Sequence, residues 1–172
     1  MSDARGLTPE APEPLDKEGG FWSCRWAALS QPRRTLVMDR VLVVDDSSSM
    51  RSHVRGVLEK DGDPGGAFEV FEASSGFEAL RLLPRERYDA VILDINLPDI
   101  DGLDLIRFVR QSEHHRQVAL VILSGQSSAR SRDRAAALGA DAFLAKPPTE
   151  EALREALARS LRGRRVRLSE RP

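Results

Sequence analysis

The 172-residue sequence has a single cysteine, Cys24, and a formal net charge of −1 at pH 7. One cysteine excludes an internal disulfide framework and any metal site built from several cysteines. A net charge near zero argues against a dedicated binder of nucleic acid, so we expect no nucleic-acid partner. No apolar run is long enough to span a bilayer, and the amino terminus lacks the apolar stretch of a secretory signal. We therefore expect a cytoplasmic protein with no membrane partner.

Lysine is scarce as well. Lys17, Lys60 and Lys146 are the only lysines among 26 basic residues. Because arginine supplies the ordinary surface charge, a lysine either marks a position that needs a compact ammonium group or reflects chance.

Composition divides the chain into three zones. Residues 1–39 are rich in Pro, Glu and Gly without a sustained period, which predicts a mostly disordered extension around an aromatic island at 21–26. Residues 40–161 carry the periodic apolar pattern of one folded domain. Residues 162–172 contain five arginines against one glutamate, which is typical of a solvated helix end or basic tail.

Apolar runs alternate with amphipathic segments inside the folded zone. The runs predict five strands, at 41–44, 68–71, 90–93, 118–123 and 142–144. Apolar residues at helical spacing predict five helices, marked by Met50, Val54, Val57 and Leu58, by Phe77, Leu80 and Leu83, by Leu103, Ile106 and Val109, by the alanine-rich stretch 129–138, and by Leu153, Leu157 and Leu161. This alternation predicts an α/β fold of the (βα)₅ type, with a parallel sheet covered on both faces.

Polar side chains follow four of these strands. Asp45 and Asp46 follow the first, Asp94 the third, Ser124 the fourth and Lys146 the fifth. The carboxyl ends of parallel strands meet at one edge of the sheet, where ligands of such folds bind. Three neighbouring carboxylates need a compensating cation, and Mg²⁺ prefers oxygen ligands and retained water. A lysine and a hydroxyl group suit phosphoryl oxygens, so the set predicts phosphoryl transfer to a carboxylate.

The segments VLVVDDSSSM, AVILDINLPDIDG, LVILSG and GADAFLAKP resemble the receiver domain of two-component response regulators over residues 40–161. The resemblance implies a CheY-like, flavodoxin-like doubly wound fold with five parallel strands in the order 2-1-3-4-5. It implies that Asp94 is the phosphoacceptor and that Mg²⁺ is the cofactor. The metal would be held by Asp46 directly, by Asp45 through water, by Asp94 and by the backbone carbonyl of Asn96.

The same resemblance gives roles to three further residues. Lys146 and Ser124 would bind phosphoryl oxygens, and Ser124 and Phe143 would change conformation as a switch on phosphorylation. Phe143 is equally compatible with simple packing. Departures from the usual pattern are modest: Pro148 replaces an aromatic residue after the Lys-Pro pair, and Gly125 replaces a frequent alanine.

These features predict a stand-alone response regulator. Eleven residues follow Leu161, too few for an output domain, so we expect signalling by protein contact through the face formed by helix four, strand five and helix five. The phosphate donor would be a sensor histidine kinase or a phosphotransfer protein. The chain would not be an enzyme acting on other molecules, since it would catalyse only its own magnesium-dependent phosphotransfer and hydrolysis.

Two alternatives remain open: a phosphorelay intermediate that passes phosphate onward, and an adaptor that uses the receiver fold without phosphate. The glycine-rich turn of dinucleotide enzymes and the phosphate-binding loop of nucleotide hydrolases are both missing. His53, His114 and His115 have no metal-site spacing, and we expect surface or partly buried polar roles for them.

Overall fold

The computed structural model describes residues 38–60, 68–125 and 128–169, with the side chains of the last helix described as far as Arg164. The aromatic island and almost all of the predicted extension lie outside these ranges, so its predicted disorder stays a prediction. The first strand begins at Asp39, one residue before the predicted start of the folded zone. No helix in the described ranges is both long enough and apolar enough to cross a membrane.

Five strands and five helices alternate along the described part of the chain. The strands are β1 (Asp39–Val44), β2 (Phe68–Ala73), β3 (Ala90–Asp94), β4 (Ala119–Ser124) and β5 (Ala142–Ala145). The helices are α1 (Ser48–Leu58), α2 (Gly76–Leu82), α3 (Gly102–Gln111), α4 (Ala129–Ala137) and α5 (Glu150–Ser169). All strand pairs are parallel and their order is β2-β1-β3-β4-β5. The predicted fold class and strand order are confirmed.

Each face of the sheet has its own apolar core, because successive strand side chains point to opposite faces. Val41 and Val43 belong to a core covered by α1 and α5. Leu42 and Val44 belong to a second core, covered by α2, α3 and α4. Burial on both faces explains the unbroken apolar runs 41–44, 90–93 and 119–123 in β1, β3 and β4. In these three strands, polar chemistry is therefore confined to the strand ends and the loops beyond them.

Local sequence signals set the ends of two helices. Ser47 caps the start of α1, where its Oγ accepts a hydrogen bond of 3.4 Å from the backbone N–H of Met50. Gly139 follows α4 with a φ of 97°, a left-handed conformation that favours glycine over residues with a Cβ.

Arg110 of α3 ties down the carboxyl end of α4. Its Nε and Nη2 atoms donate to the carbonyl oxygen of Gly139, at 2.9 and 2.7 Å. Its Nη1 donates to the carbonyl oxygen of Val118 at 2.8 Å, and its Nη2 also pairs with Asp141 Oδ2 at 3.0 Å. One guanidinium group thus joins α3 to the segments before β4 and before β5.

One of the apolar residues that mark α2 does not join the core. Phe77 is 59% exposed, because it lies in the first turn of α2 and points away from the sheet. The carboxylate of Asp99, in the loop between β3 and α3, accepts hydrogen bonds from the backbone N–H groups of Gly76 and Phe77, at 3.0 and 2.8 Å. This loop therefore rests against the start of α2.

The predicted boundary at Leu161 is not the end of a helix. α5 runs on to Ser169, so most of the arginine-rich segment is helical. Arg164 is paired rather than simply solvated, since its Nη1 lies 2.5 Å from Asp89 Oδ1 in the loop before β3. The last helix thereby contacts the amino-terminal edge of the sheet, opposite the predicted site.

His115 is more deeply buried than the predicted surface or partly buried role, with only 1% of its surface exposed. Its Nε2 lies 3.1 Å from the carbonyl oxygen of Glu86, and its Nδ1 lies 3.4 Å from Ser112 Oγ. Its ring lies 6.0 Å from that of Tyr88. Burial lowers the pKa of His115 below its ordinary value, and the contact with Glu86 opposes this only in part.

The lowered pKa of His115 predicts a loss of stability in mild acid. Below about pH 6.5 the unfolded chain binds a proton at this histidine while the folded chain resists it, so the free energy of unfolding falls as the pH falls. Thermal melts of His115→Gln between about pH 7.5 and pH 5 should show a weaker pH dependence than the parent protein. An unchanged dependence in His115→Gln would contradict the assignment.

Candidate functional site

Three carboxylates meet at the carboxyl edge of the sheet. β1 and β3 are neighbours, with Val44 paired to Leu93, so the residues that follow in the chain, Asp45 and Asp94, lie side by side. Both are buried, whereas Asp46 is exposed. One oxygen from each of the three carboxylates lies within 4.8 Å of the other two. The predicted acidic cluster is therefore present.

Lys146 reaches this cluster from β5. Its Nζ lies 2.5 Å from Asp45 Oδ2 and 2.7 Å from Asp94 Oδ2. Burial lowers the pKa of Lys146, but the hydrogen bonds and charges of the two aspartates outweigh burial and raise the pKa above its ordinary value. The long side chain spans the width of β4, which lies between β3 and β5. The lysine predicted at the end of the fifth strand therefore contacts two of the three carboxylates of the site.

Backbone N–H groups orient the two buried carboxylates. Asn96 donates its N–H to Asp94 Oδ1 at 2.9 Å, and Ser47 donates its N–H to Asp45 Oδ1 at 3.0 Å. The second oxygen of Asp45 is buried and has no hydrogen bond of good geometry in spite of its contact with the ammonium group. Three carboxylates facing one ammonium group, with this oxygen short of a hydrogen bond, fit a divalent cation that prefers oxygen ligands.

The two predicted switch residues lie on neighbouring strands. Ser124 ends β4 and is 2% exposed, and it pairs in register with Ala145, which precedes Lys146. Phe143 of β5 is half-buried against the core under α4. The guanidinium carbon of Arg132, on α4, lies 5.4 Å from the centre of the Phe143 ring. The switching roles of both residues stay predictions.

The loop from Asp94 to α3 closes tightly on itself. Gly102, the first residue of α3, donates its N–H to the carbonyl oxygen of Ile95 at 3.2 Å. A Cβ at Gly102 would lie 2.6 Å from the Cα of Ile95, closer than real Cβ contacts occur. A glycine is therefore required to keep this loop in place beside the acceptor strand.

The sequence did not reveal an arginine beside the site. Arg51 of α1 donates from Nη1 to the carbonyl oxygens of Asp45 and Asp46, at 2.8 and 3.3 Å. Its Nε donates to Glu72 Oε2 of β2 at 3.0 Å. Its position one turn after the acidic pair was the only available signal, and many exposed arginines share such positions.

Comparison with known sequences identifies the family. The model of the response regulator receiver domain matches residues 41–158. The CAI-1 autoinducer sensor kinase/phosphatase CqsS of Vibrio cholerae is 31% identical over 115 residues, which are 66% of this chain and 16% of that protein. The transcriptional regulatory protein PrrA of Mycobacterium tuberculosis is 39% identical over 108 residues, which are 63% of this chain and 43% of PrrA. The chain thus spans less than half the length of these two relatives.

Solved structures agree with the sequence comparison. The chemotaxis response regulator CheY4 of Vibrio cholerae superposes with a TM-score of 0.65 at 32% identity, covering 72% of this chain and 98% of that one. A CheY-like receiver domain protein from Methanospirillum hungatei superposes with a TM-score of 0.68 at 25% identity, covering 76% of this chain and 98% of that one. The fold, the acidic cluster with its lysine and these matches lead to one conclusion. The chain belongs to the family of response regulator receiver domains of two-component systems.

Proposed function

We propose that this receiver domain accepts a phosphoryl group on Asp94 from the phosphohistidine of a sensor histidine kinase or phosphotransfer protein. The observation that carries the proposal is the buried Asp94 carboxylate, held by the N–H of Asn96 and by Lys146 beside two further carboxylates. In the transfer, an Asp94 oxygen attacks phosphorus, a new P–O bond forms, and the P–N bond to the donor histidine breaks. Water then attacks phosphorus, the P–O bond to Asp94 breaks, and inorganic phosphate leaves, which restores the Asp94 carboxylate.

The residues around Asp94 would neutralise the charge of the phosphoryl group in two ways, through a bound metal ion and through Lys146. Asp45, Asp46, Asp94 and the carbonyl of Asn96 would hold Mg²⁺, which neutralises charge on the phosphoryl oxygens when it is bound. Lys146 is already placed to donate to a phosphoryl oxygen on Asp94, because its Nζ lies 2.7 Å from the acceptor carboxylate. Positioning and charge neutralisation of this kind account for most of the catalysis in phosphoryl transfer.

The signal would leave through a protein contact on α4, β5 and α5. Ala135 is the only fully buried residue of α4, so little apolar burial resists a displacement of this helix. Movement of Ser124 toward a phosphoryl oxygen would alter the space beside β5, where Phe143 joins the core to Arg132 of α4. Stand-alone action in the cytoplasm remains part of the prediction, with the phosphorelay intermediate and the phosphate-independent adaptor as the alternatives.

Beryllofluoride, which mimics a phosphoryl group on an aspartate, tests both halves of the proposal. With Mg²⁺ present, it should shift the backbone NMR signals of Asp94, Ser124 and residues 128–146, because a population of active conformers is selected. Shifts confined to the loops after β1 and β3 would favour a relay or an adaptor. If the spectrum does not change at all, the acceptor function is wrong.

A further inference from the structure

We propose that Arg51 is a positioning residue for the metal site, acting through the backbone of Asp45 and Asp46. The inference rests on the proposed function, since it assumes that this rim binds Mg²⁺. Arg51 touches no acceptor or ligand oxygen of the three carboxylates; its contacts are with the two carbonyl oxygens and with Glu72. Its effect is therefore on where the ligands point.

The contacts with the loop supply the mechanism. Nη1 of Arg51 donates to two successive carbonyl oxygens, Asp45 at 2.8 Å and Asp46 at 3.3 Å. A carbonyl group and a side chain branch from the same Cα, so restraining the carbonyl restricts the directions open to the carboxylate. The carboxylates repel one another, and without a restraint that repulsion favours a loop that opens. Arg51 opposes this opening through its hydrogen bonds to the two carbonyl oxygens.

Glu72 holds Arg51 in place. It lies on β2, paired in register with Val43 of β1, so its position is set by the sheet. Its Oε2 accepts from Arg51 at 3.0 Å, and its Oε1 accepts from Nε of Arg55 at 2.6 Å. The Arg51 side chain is only 15% exposed, which limits screening of these contacts by water.

Arg55 provides a matched control within the same network. It lies one turn further along α1 and binds the same carboxylate of Glu72, but its other side-chain contact is with Glu59 and not with the acidic loop. Removing either arginine leaves Glu72 with one guanidinium partner. Only removal of Arg51 releases the carbonyl groups of Asp45 and Asp46.

The direction in which Arg51→Gln changes the affinity for Mg²⁺ distinguishes a positioning role from an effect of charge alone. A guanidinium group this close to the metal site repels Mg²⁺, so if Arg51 acted only as a charge, Arg51→Gln would strengthen Mg²⁺ binding. If Arg51 positions the ligands, Arg51→Gln weakens binding, by about tenfold or more as for other residues that orient metal ligands. A merely structural role would lower the melting temperature and leave the affinity for Mg²⁺ unchanged.

The experiment is a Mg²⁺ titration of the full chain, followed by the backbone amide NMR signals of Ser47 and Asn96, which donate to the ligand carboxylates. We expect weaker binding in Arg51→Gln, an intermediate loss in Arg51→Lys, and an affinity within about twofold of the parent in Arg55→Gln. Arg51→Lys replaces Arg51→Gln as the deciding variant if the latter does not fold.

The outcomes distinguish the inference from its premise. An Arg51 variant that binds Mg²⁺ as tightly as the parent, or more tightly, overturns the positioning role while the proposed function stands. An equal loss in Arg55→Gln also overturns it, because the shared Glu72 contact would then explain the effect. A parent protein that binds no Mg²⁺ overturns the proposed function itself.

Discussion

Replacement of Asp94 by asparagine is expected to abolish phosphorylation by acetyl phosphate or by a phosphorylated kinase. The amide of asparagine does not form the acyl phosphate. Its size is close to that of aspartate, and its single oxygen can keep one of the two contacts, with the Asn96 N–H or with Lys146. The loss should therefore be complete rather than partial. Incorporation of radioactive phosphate, measured as base-labile label on the purified protein, checks it.

Two controls make the Asp94 result specific. Asp104→Asn alters an exposed aspartate on the surface of α3, paired only with Arg107 one turn away, and should be labelled like the parent. Chelation of Mg²⁺ with EDTA should abolish labelling of the parent protein, since the acidic cluster is then left without its cation. Base-labile label that persists in a folded Asp94→Asn variant would show that another residue is the acceptor.

Gly102→Ala is expected to be strongly destabilising, although alanine is the better helix former. The added Cβ would lie 2.6 Å from the Cα and 2.7 Å from the carbonyl oxygen of Ile95, and neither backbone atom can move away as a flexible side chain could. Overpacking of this kind costs about 1–3 kcal/mol or more in the free energy of unfolding. The loop beside Asp94 must shift to relieve it, so phosphorylation should slow as well. Chemical denaturation and the labelling rate measure the two effects.

Gly56→Ala is the matched control, because it makes the same chemical change in the interior of α1. No heavy atom lies within 4 Å of a Cβ built at Gly56, and this residue is exposed. The helix propensity of alanine should therefore raise the free energy of unfolding by about 0.5–1 kcal/mol. The two glycine-to-alanine substitutions are therefore expected to change the free energy of unfolding in opposite directions. Equal effects of the two would mean that the close approach of Gly102 to Ile95 is not limiting.

The sequence was sufficient to predict the site residues that lie at the ends of the apolar strand runs. Asp45, Asp94, Ser124 and Lys146 each stand at or just beyond the end of an apolar run, and parallel pairing brings the carboxyl ends of those runs together. The strand order came from the family resemblance, because alternation of strands and helices permits several orders. The roles of these residues rest on that resemblance and on the experiments above.

The features that the sequence did not predict are contacts between residues distant in the chain. Arg51 with Glu72, Asp99 with Gly76 and Arg110 with Gly139 join charged side chains to partners 20 residues or more away, and a surface arginine or aspartate has no periodic signature. Phe77 matched the helical spacing of apolar residues in α2, but this spacing alone does not show which of them pack into the core. His115 was misjudged because polarity predicts exposure only on average.

The bond between Arg110 and the end of α4 has a mechanical consequence. The carbonyl oxygen of Gly139 accepts two hydrogen bonds from the Arg110 guanidinium group, which also binds the segments before β4 and before β5. The opposite end of α4 begins at Ser128, which is exposed. Because these hydrogen bonds hold the carboxyl end of α4, a displacement of the helix should be a rotation about Gly139. The displacement should then be largest at Ser128. A partner that contacts the Ser128 end of α4 would then bind the phosphorylated and unphosphorylated proteins with different affinities. A partner that contacts only the Gly139 end would bind the two with similar affinities.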